Sequence, residues 1–212
     1  MNTPLAYFRS IEPAAKGLFK LLNGYGWQKM RAFIEMTKTS SVEEFAQRRA
    51  DFESVDTARE IISGSILQLA YFAIKQHGIS QGKSSGVLHF ESEMNRLLRE
   101  IPNPRTKRLE LPLQFCVGRG IGDLPIGMII YAGRNQYNHF DDDRFDVVNE
   151  VVFDYLRQIF PNPVNGHSFA VRGAGRPLSY SVLTALGWMD SADGLGFEPF
   201  KKDLAEVLQI EA

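Results

Sequence analysis

The sequence predicts an all-α fold: a helical bundle followed by a small C-terminal helical extension. Three observations predict it. Apolar residues recur at spacings of three and four through most of the chain, the period of a helix face. Residues that start and stop helices punctuate those stretches. Neither an internal repeat nor a strand–helix alternation is present. A Gly/Pro/Asn-rich linker at 161–177 divides the chain into an expected main helical domain, 1–160, and an extension, 161–212. With 212 residues, 44% of them hydrophobic, there is material for one sizeable core.

Taken in order, Pro13 can open a helix through Leu18, Phe19, Leu21 and Leu22 that stops near Gly24 and Gly26. Trp27, Met30, Phe33 and Ile34 then mark a second helix face. Ser41 with Glu44 forms a capping-box pattern, with Phe45, Arg48, Arg49 and Phe52 behind it. Asp56 is suited to N-cap the strongest core candidate, 57–77, which ends at Gly78. Ile62, Ile66, Leu69, Ala70 and Ala73 form one stripe of that helix, while Leu67, Phe72 and Ile74 lie off it. A helix apolar on nearly every side belongs in the middle of a bundle.

A more polar helix is expected at 87–101, then an irregular stretch at 102–123 with one or two short strands at 109–117. Pro125 starts an apolar helix whose character changes abruptly at Arg134. The acidic turn Asp141-Asp142-Asp143 separates it from an amphipathic helix at 145–160, and two further helices are expected at 178–189 and 199–209.

Composition excludes several function classes. A formal charge of -1 gives no global attraction to nucleic acid or membrane, so any polyanion contact must be local. The single cysteine, Cys116, rules out an internal disulfide framework and reads as a small buried hydrophobe. The start Met1-Asn2-Thr3-Pro4 lacks signal-peptide character, and the most apolar windows, 66–74 and 124–133, are about half the span of a bilayer. The expectation is a cytoplasmic protein without a membrane segment. The loop 78–86 approximates two catalytic patterns. It is one residue short of a P-loop, and its Gly-x-Ser-x-Gly lacks a strand–turn–helix setting, so it reads as a helix–helix loop. Gly118-Arg119-Gly120-Ile121-Gly122 lacks a dinucleotide fingerprint's third glycine and reads as a flexible approach to the next helix.

The constellation that remains is Arg134-Asn135-Gln136-Tyr137-Asn138-His139. On a helix at ~100° per residue Arg134 and His139 differ by ~140°, so they converge only where the helix loosens near its end. A histidine that titrates near neutral pH beside an arginine that can grip phosphate suits phosphodiester cleavage without metal. The histidine moves the proton of a ribose 2′-hydroxyl or of the leaving 5′-oxygen, and the arginine stabilises charge on phosphorus.

The run Arg134-Asn135 followed by His139 resembles the Arg-polar-x-x-x-His motif of HEPN domains, the helical bundles of many RNases in toxin–antitoxin, CRISPR and RNA-processing systems. The resemblance covers roughly residues 56–160. It implies a metal-independent endoribonuclease acting as a homodimer on RNA, with no cofactor. Arg134 would bind the scissile phosphate, Asn135 would be the polar helper and His139 the acid–base residue, supported by Tyr137 and Asn138. Arg105, Lys107 and Arg108, together with Arg96 and Arg99, are the candidate basic contacts to RNA. Two alternatives stay open. One is a non-catalytic HEPN-like RNA- or protein-binding module, such as a toxin–antitoxin component with an antitoxin partner. The other is a divalent-metal site at His139, Asp141, Asp143 and Asp146, an oxygen-rich set suited to Mg²⁺ or Mn²⁺.

Overall fold

The computed structural model describes residues 3–79, 82–100, 111–141, 147–161, 169, 176–189 and 196–211. Within them are seven α-helices, one 3-10 turn and one two-stranded sheet, so the fold is all-α. Helix α1 (Pro4–Thr37) starts about two and a half turns before Pro13: Thr3 Oγ1 accepts from the Ala6 amide at 3.2 Å and Pro4 occupies the first helical position. Pro13 lies inside the helix, where its missing N–H costs about 3 kcal/mol. Burial of Phe8, Ile11, Ala15, Phe19 and Leu22 offsets that loss.

The breaks expected at Gly24–Gly26 and before Asp56 do not occur; α1 continues to Thr37, and α2 (Val42–His77) is one helix. The two run antiparallel, and contacts between them hold both straight through these positions. Lys29 pairs with Asp56 and lies over the Phe52 ring, and Phe33 meets Phe52 with centroids 6.3 Å apart. Asp56 is thus spent on Lys29 and on Arg59 at 3.3 Å, and caps nothing. The expected cap at Ser41 does form, its side chain accepting from the Glu44 amide at 3.1 Å.

Helix α3 (Ser85–Glu100) begins behind Ser84, whose hydroxyl accepts from the Val87 amide at 3.3 Å. The strands expected at 109–117 are displaced. Leu113–Phe115 is a 3-10 turn, and β1 (Gly120–Ile121) pairs antiparallel with β2 (Leu124–Pro125). Gly122, at φ 57°, supplies the left-handed turn between them. Helices α4 (Ile126–Asn138), α5 (Val147–Ile159), α6 (Ser179–Ala185) and α7 (Phe197–Leu208) follow.

The C-terminal half of α2 is the centre of the bundle, in contact with α1, α4, α6, α7 and the 3-10 turn. Helices α6 and α7 contribute Val182, Leu183, Phe200 and Leu204 to the same buried cluster as α1 and α2. Arg119 fastens the last helix. Its guanidinium donates to both Asp203 oxygens at 2.7 Å and to the Leu186 carbonyl at 2.6 Å, while buried Trp188 donates to Asp203 at 2.8 Å. The stretch read as a flexible approach is therefore a hairpin anchored to α7.

Glu60, on α2, is 7% exposed, and one of its oxygens accepts from the Tyr180 amide at 3.0 Å. Burial pushes its pKa up to about 7, with the Asp56 charge adding to the rise, against the opposing pull of the Tyr180 amide bond. A carboxyl whose folded pKa exceeds its ordinary 4.5 holds its proton more tightly when folded. Its contribution is complete below that ordinary value and is lost as pH rises through about 7. The difference corresponds to about 3 kcal/mol. Urea unfolding should show wild-type stability falling across this window, and Glu60→Gln should flatten the fall. Superimposable pH profiles for the two proteins would contradict the assignment.

Candidate functional site at the end of α4

Helix α4 is apolar at first because it threads the core, and two glycines let it come close to its neighbours. A methyl at Gly127 would lie 2.4 Å from the Phe115 carbonyl, and one at Gly133 would lie 2.8 Å from Val182 and 3.2 Å from Leu67. Past Gly133 the helix reaches the surface, and its sequence turns polar. It ends at Asn138. His139 is the C-cap at φ -133° and ψ 26°, its amide donating to the Asn135 and Gln136 carbonyls at 3.1 and 3.3 Å. The backbone thus leaves helical geometry at His139. His139 and Asn138 are exposed, while Arg134, Asn135 and Tyr137 are half-buried.

The side chain of Arg134 is fixed on several sides by uncharged groups. Its Cζ lies 4.6 Å from the centre of the Tyr71 ring, a cation–π distance. Its Nε donates to Gln68 Oε1 at 3.3 Å and its Nη1 donates to Asn135 Oδ1 at 3.2 Å. The Asn138 amide reaches the same guanidinium. With its oxygen turned toward Arg134 it accepts from Nε at 2.9 Å, and from Gln68 Nε2 at 3.0 Å. Tyr71 is held in turn by Phe115, stacked at 4.9 Å, and Tyr131 packs on Phe115 at 5.0 Å. Arg134 forms no ion pair with any described acidic residue, Asp141 included.

The other residues of the run divide between packing and solvent. Tyr137 lies flat on Gly64 of α2, so close that a methyl there would sit 2.3 Å from Cε2. Gln136 is 3% exposed and serves as a strap: it donates to the Arg176 carbonyl and accepts from the Leu178 amide, both at 2.9 Å. Residues 64, 68 and 71 of α2 thus complete the site, and sequence reasoning missed all three. A signal existed in Gln68, which interrupts an otherwise apolar window. An amide in a central helix needs a polar partner, and the polar end of α4 supplies one.

Arg105, Lys107 and Arg108, along with Asp142, Asp143 and Asp146, lie outside the described residues. Arg96 is exposed but already paired with Glu93 and Glu100. Among the described residues no group of three His, Cys, Asp or Glu could hold a metal ion. In the loop 78–86, Lys83 donates to Glu91 at 2.6 and 2.7 Å and Ser84 caps α3, which leaves neither as a phosphate ligand or nucleophile. Cys116 is buried, and burial pushes its thiol pKa up, the opposite of an activated nucleophile. No described helix is long and apolar enough to cross a membrane. No protein-family profile, curated protein or solved structure matches this chain.

Gly64 tests how tightly α2 fixes the site. Gly64→Ala must displace the Tyr137 ring, an overpacking that costs about 1–3 kcal/mol. A lowered melting temperature is expected, and Tyr137→Ala in the same chain should recover part of it, because the clash is shared. Strictly additive losses would show that the ring and the glycine are not coupled.

Proposed function

We propose that this protein is a metal-independent endoribonuclease of the HEPN type, with Arg134 as phosphate ligand and His139 as acid–base residue. The observation that carries this reading is the state of Arg134: a cation held by Gln68, Asn135, Asn138 and Tyr71, with no described carboxylate to neutralise it. A guanidinium positioned by neutral groups keeps its charge for an incoming anion and has little left to reorganise when one arrives. His139 follows about a turn and a half later, at an exposed helix end where RNA can reach it.

In the proposed reaction a ribose 2′-hydroxyl loses its proton to the imidazole of His139 and attacks the adjacent phosphorus. The P–O5′ bond breaks, the leaving 5′-oxygen takes up a proton from water, the imidazolium of His139 returns its proton to solvent, and the products are a 2′,3′-cyclic phosphate and a 5′-hydroxyl. Arg134 holds the phosphate oxygens while charge builds on them. Asn135 and Asn138 are positioning residues for the arginine. The reading includes a homodimer, in which a second Arg134–His139 pair completes the cleft.

Purified protein should therefore cut single-stranded RNA in EDTA and leave cyclic-phosphate ends. Arg134→Ala and His139→Ala should each slow cleavage by about 10²-fold or more. Equal cutting by His139→Ala would refute the acid–base assignment. Activity that vanishes with chelator and returns with Mg²⁺ or Mn²⁺ would replace this reading with a metal site. RNA binding without cleavage would leave a binding module.

A further inference from the structure

The buried residues of α1 all precede Asn23, and those of α2 all follow Ala58. The remaining turns, 23–37 of α1 and 42–58 of α2, project from the core as a two-helix hairpin about 20 Å long. One face of that hairpin is apolar. On α1 it carries Trp27, Met30, Phe33 and Ile34 at helical spacing. On α2 it carries Val42 and Phe45, in line with Arg49, Phe52 and Asp56, and the Phe33–Phe52 ring contact places the two stripes side by side. Trp27 is 64% exposed and Val42 82%, and the other four lie between 42% and 51%.

At about 200 Å² for a large side chain, these six leave roughly 600 Å² of apolar surface in water. That is at the top of the range for the largest patch on a monomer, about 300–600 Å². We infer that this face is where two copies of the chain associate, their hairpins packing face to face as a four-helix bundle. A stable dimer needs about 800 Å² per partner, a little over half of it apolar, and the face supplies that amount. The charges along it are already paired within the chain, Lys29 with Asp56 and Arg49 with Glu53, so two identical faces meet without opposing bare like charges. The same pairs disfavour a lipid surface, which would have to desolvate them.

The inference concerns the surface that carries self-association and does not depend on the catalytic reading; its readout is mass, not cleavage. Sedimentation equilibrium should find a dimer at micromolar concentration. Met30→Asp combined with Ile34→Lys should weaken association about ten-fold or more, while Arg134→Ala and His139→Ala leave it unchanged. Both substituted hairpin side chains are exposed, so the variant's melting temperature and helical circular dichroism should match wild type. A monomeric wild-type protein would overturn the inference, whether or not it binds vesicles or another protein. So would a dimer that survives the hairpin substitutions, or one that is lost on changing Arg134 or His139.

Discussion

The contact between α2 and α4 fixes both the core and the candidate site. It depends on small residues at the places where the two helices touch. Gly64 admits the Tyr137 ring, and Gly133 admits Leu67 and Val182. Because these approaches are close, the polar residues at the end of α4 have defined directions. Arg134 faces Gln68 and Tyr71 on α2, Gln136 turns inward to strap the chain ahead of α6, and Asn138 and His139 reach solvent. A hexapeptide that is uniformly polar in sequence thus divides into structural and solvent-facing positions.

Electrostatics separates Arg134 from Arg119, Arg59, Lys29 and Lys83, each of which has a carboxylate partner. Arg119 has Asp203, Arg59 and Lys29 share Asp56, and Lys83 has Glu91. Each of those pairs is satisfied and serves packing: a charge out of water is held where an opposite charge compensates it. At Arg134 a tyrosine ring and three side-chain amides take that place. Cation–π and neutral hydrogen bonds orient the guanidinium, and no described carboxylate cancels its charge. An incoming anion would supply the opposite charge that no described residue provides.

Much of this arrangement was legible in the sequence. Apolar periodicity gave the all-α class, the central position of the second half of α2, and helices close to α3, α4, α5 and α7. The change of character at Arg134 was also visible, because a helix leaving a core must turn polar. Gly24 and Gly26 misled, since their cost of about 1 kcal/mol each is outweighed by long antiparallel pairing that no local window contains. Asp56 misled for a related reason: a good cap in isolation, it is engaged by Lys29, twenty-seven positions away. Gly64, Gln68 and Tyr71 escaped notice because their role exists only once α2 lies against α4. Gln68, a polar residue within an apolar stretch, is one of the residues that place the arginine.

The central claim is that Arg134 is an anion-receiving arginine. The most direct measurement is the affinity of the protein for a single-stranded RNA blocked at its 2′-hydroxyls, so that binding is read without cleavage. The account predicts that Arg134→Gln weakens this binding about ten-fold or more and reduces its dependence on salt, as expected when a phosphate contact is lost. Equal affinity and equal salt dependence in the two proteins would contradict it.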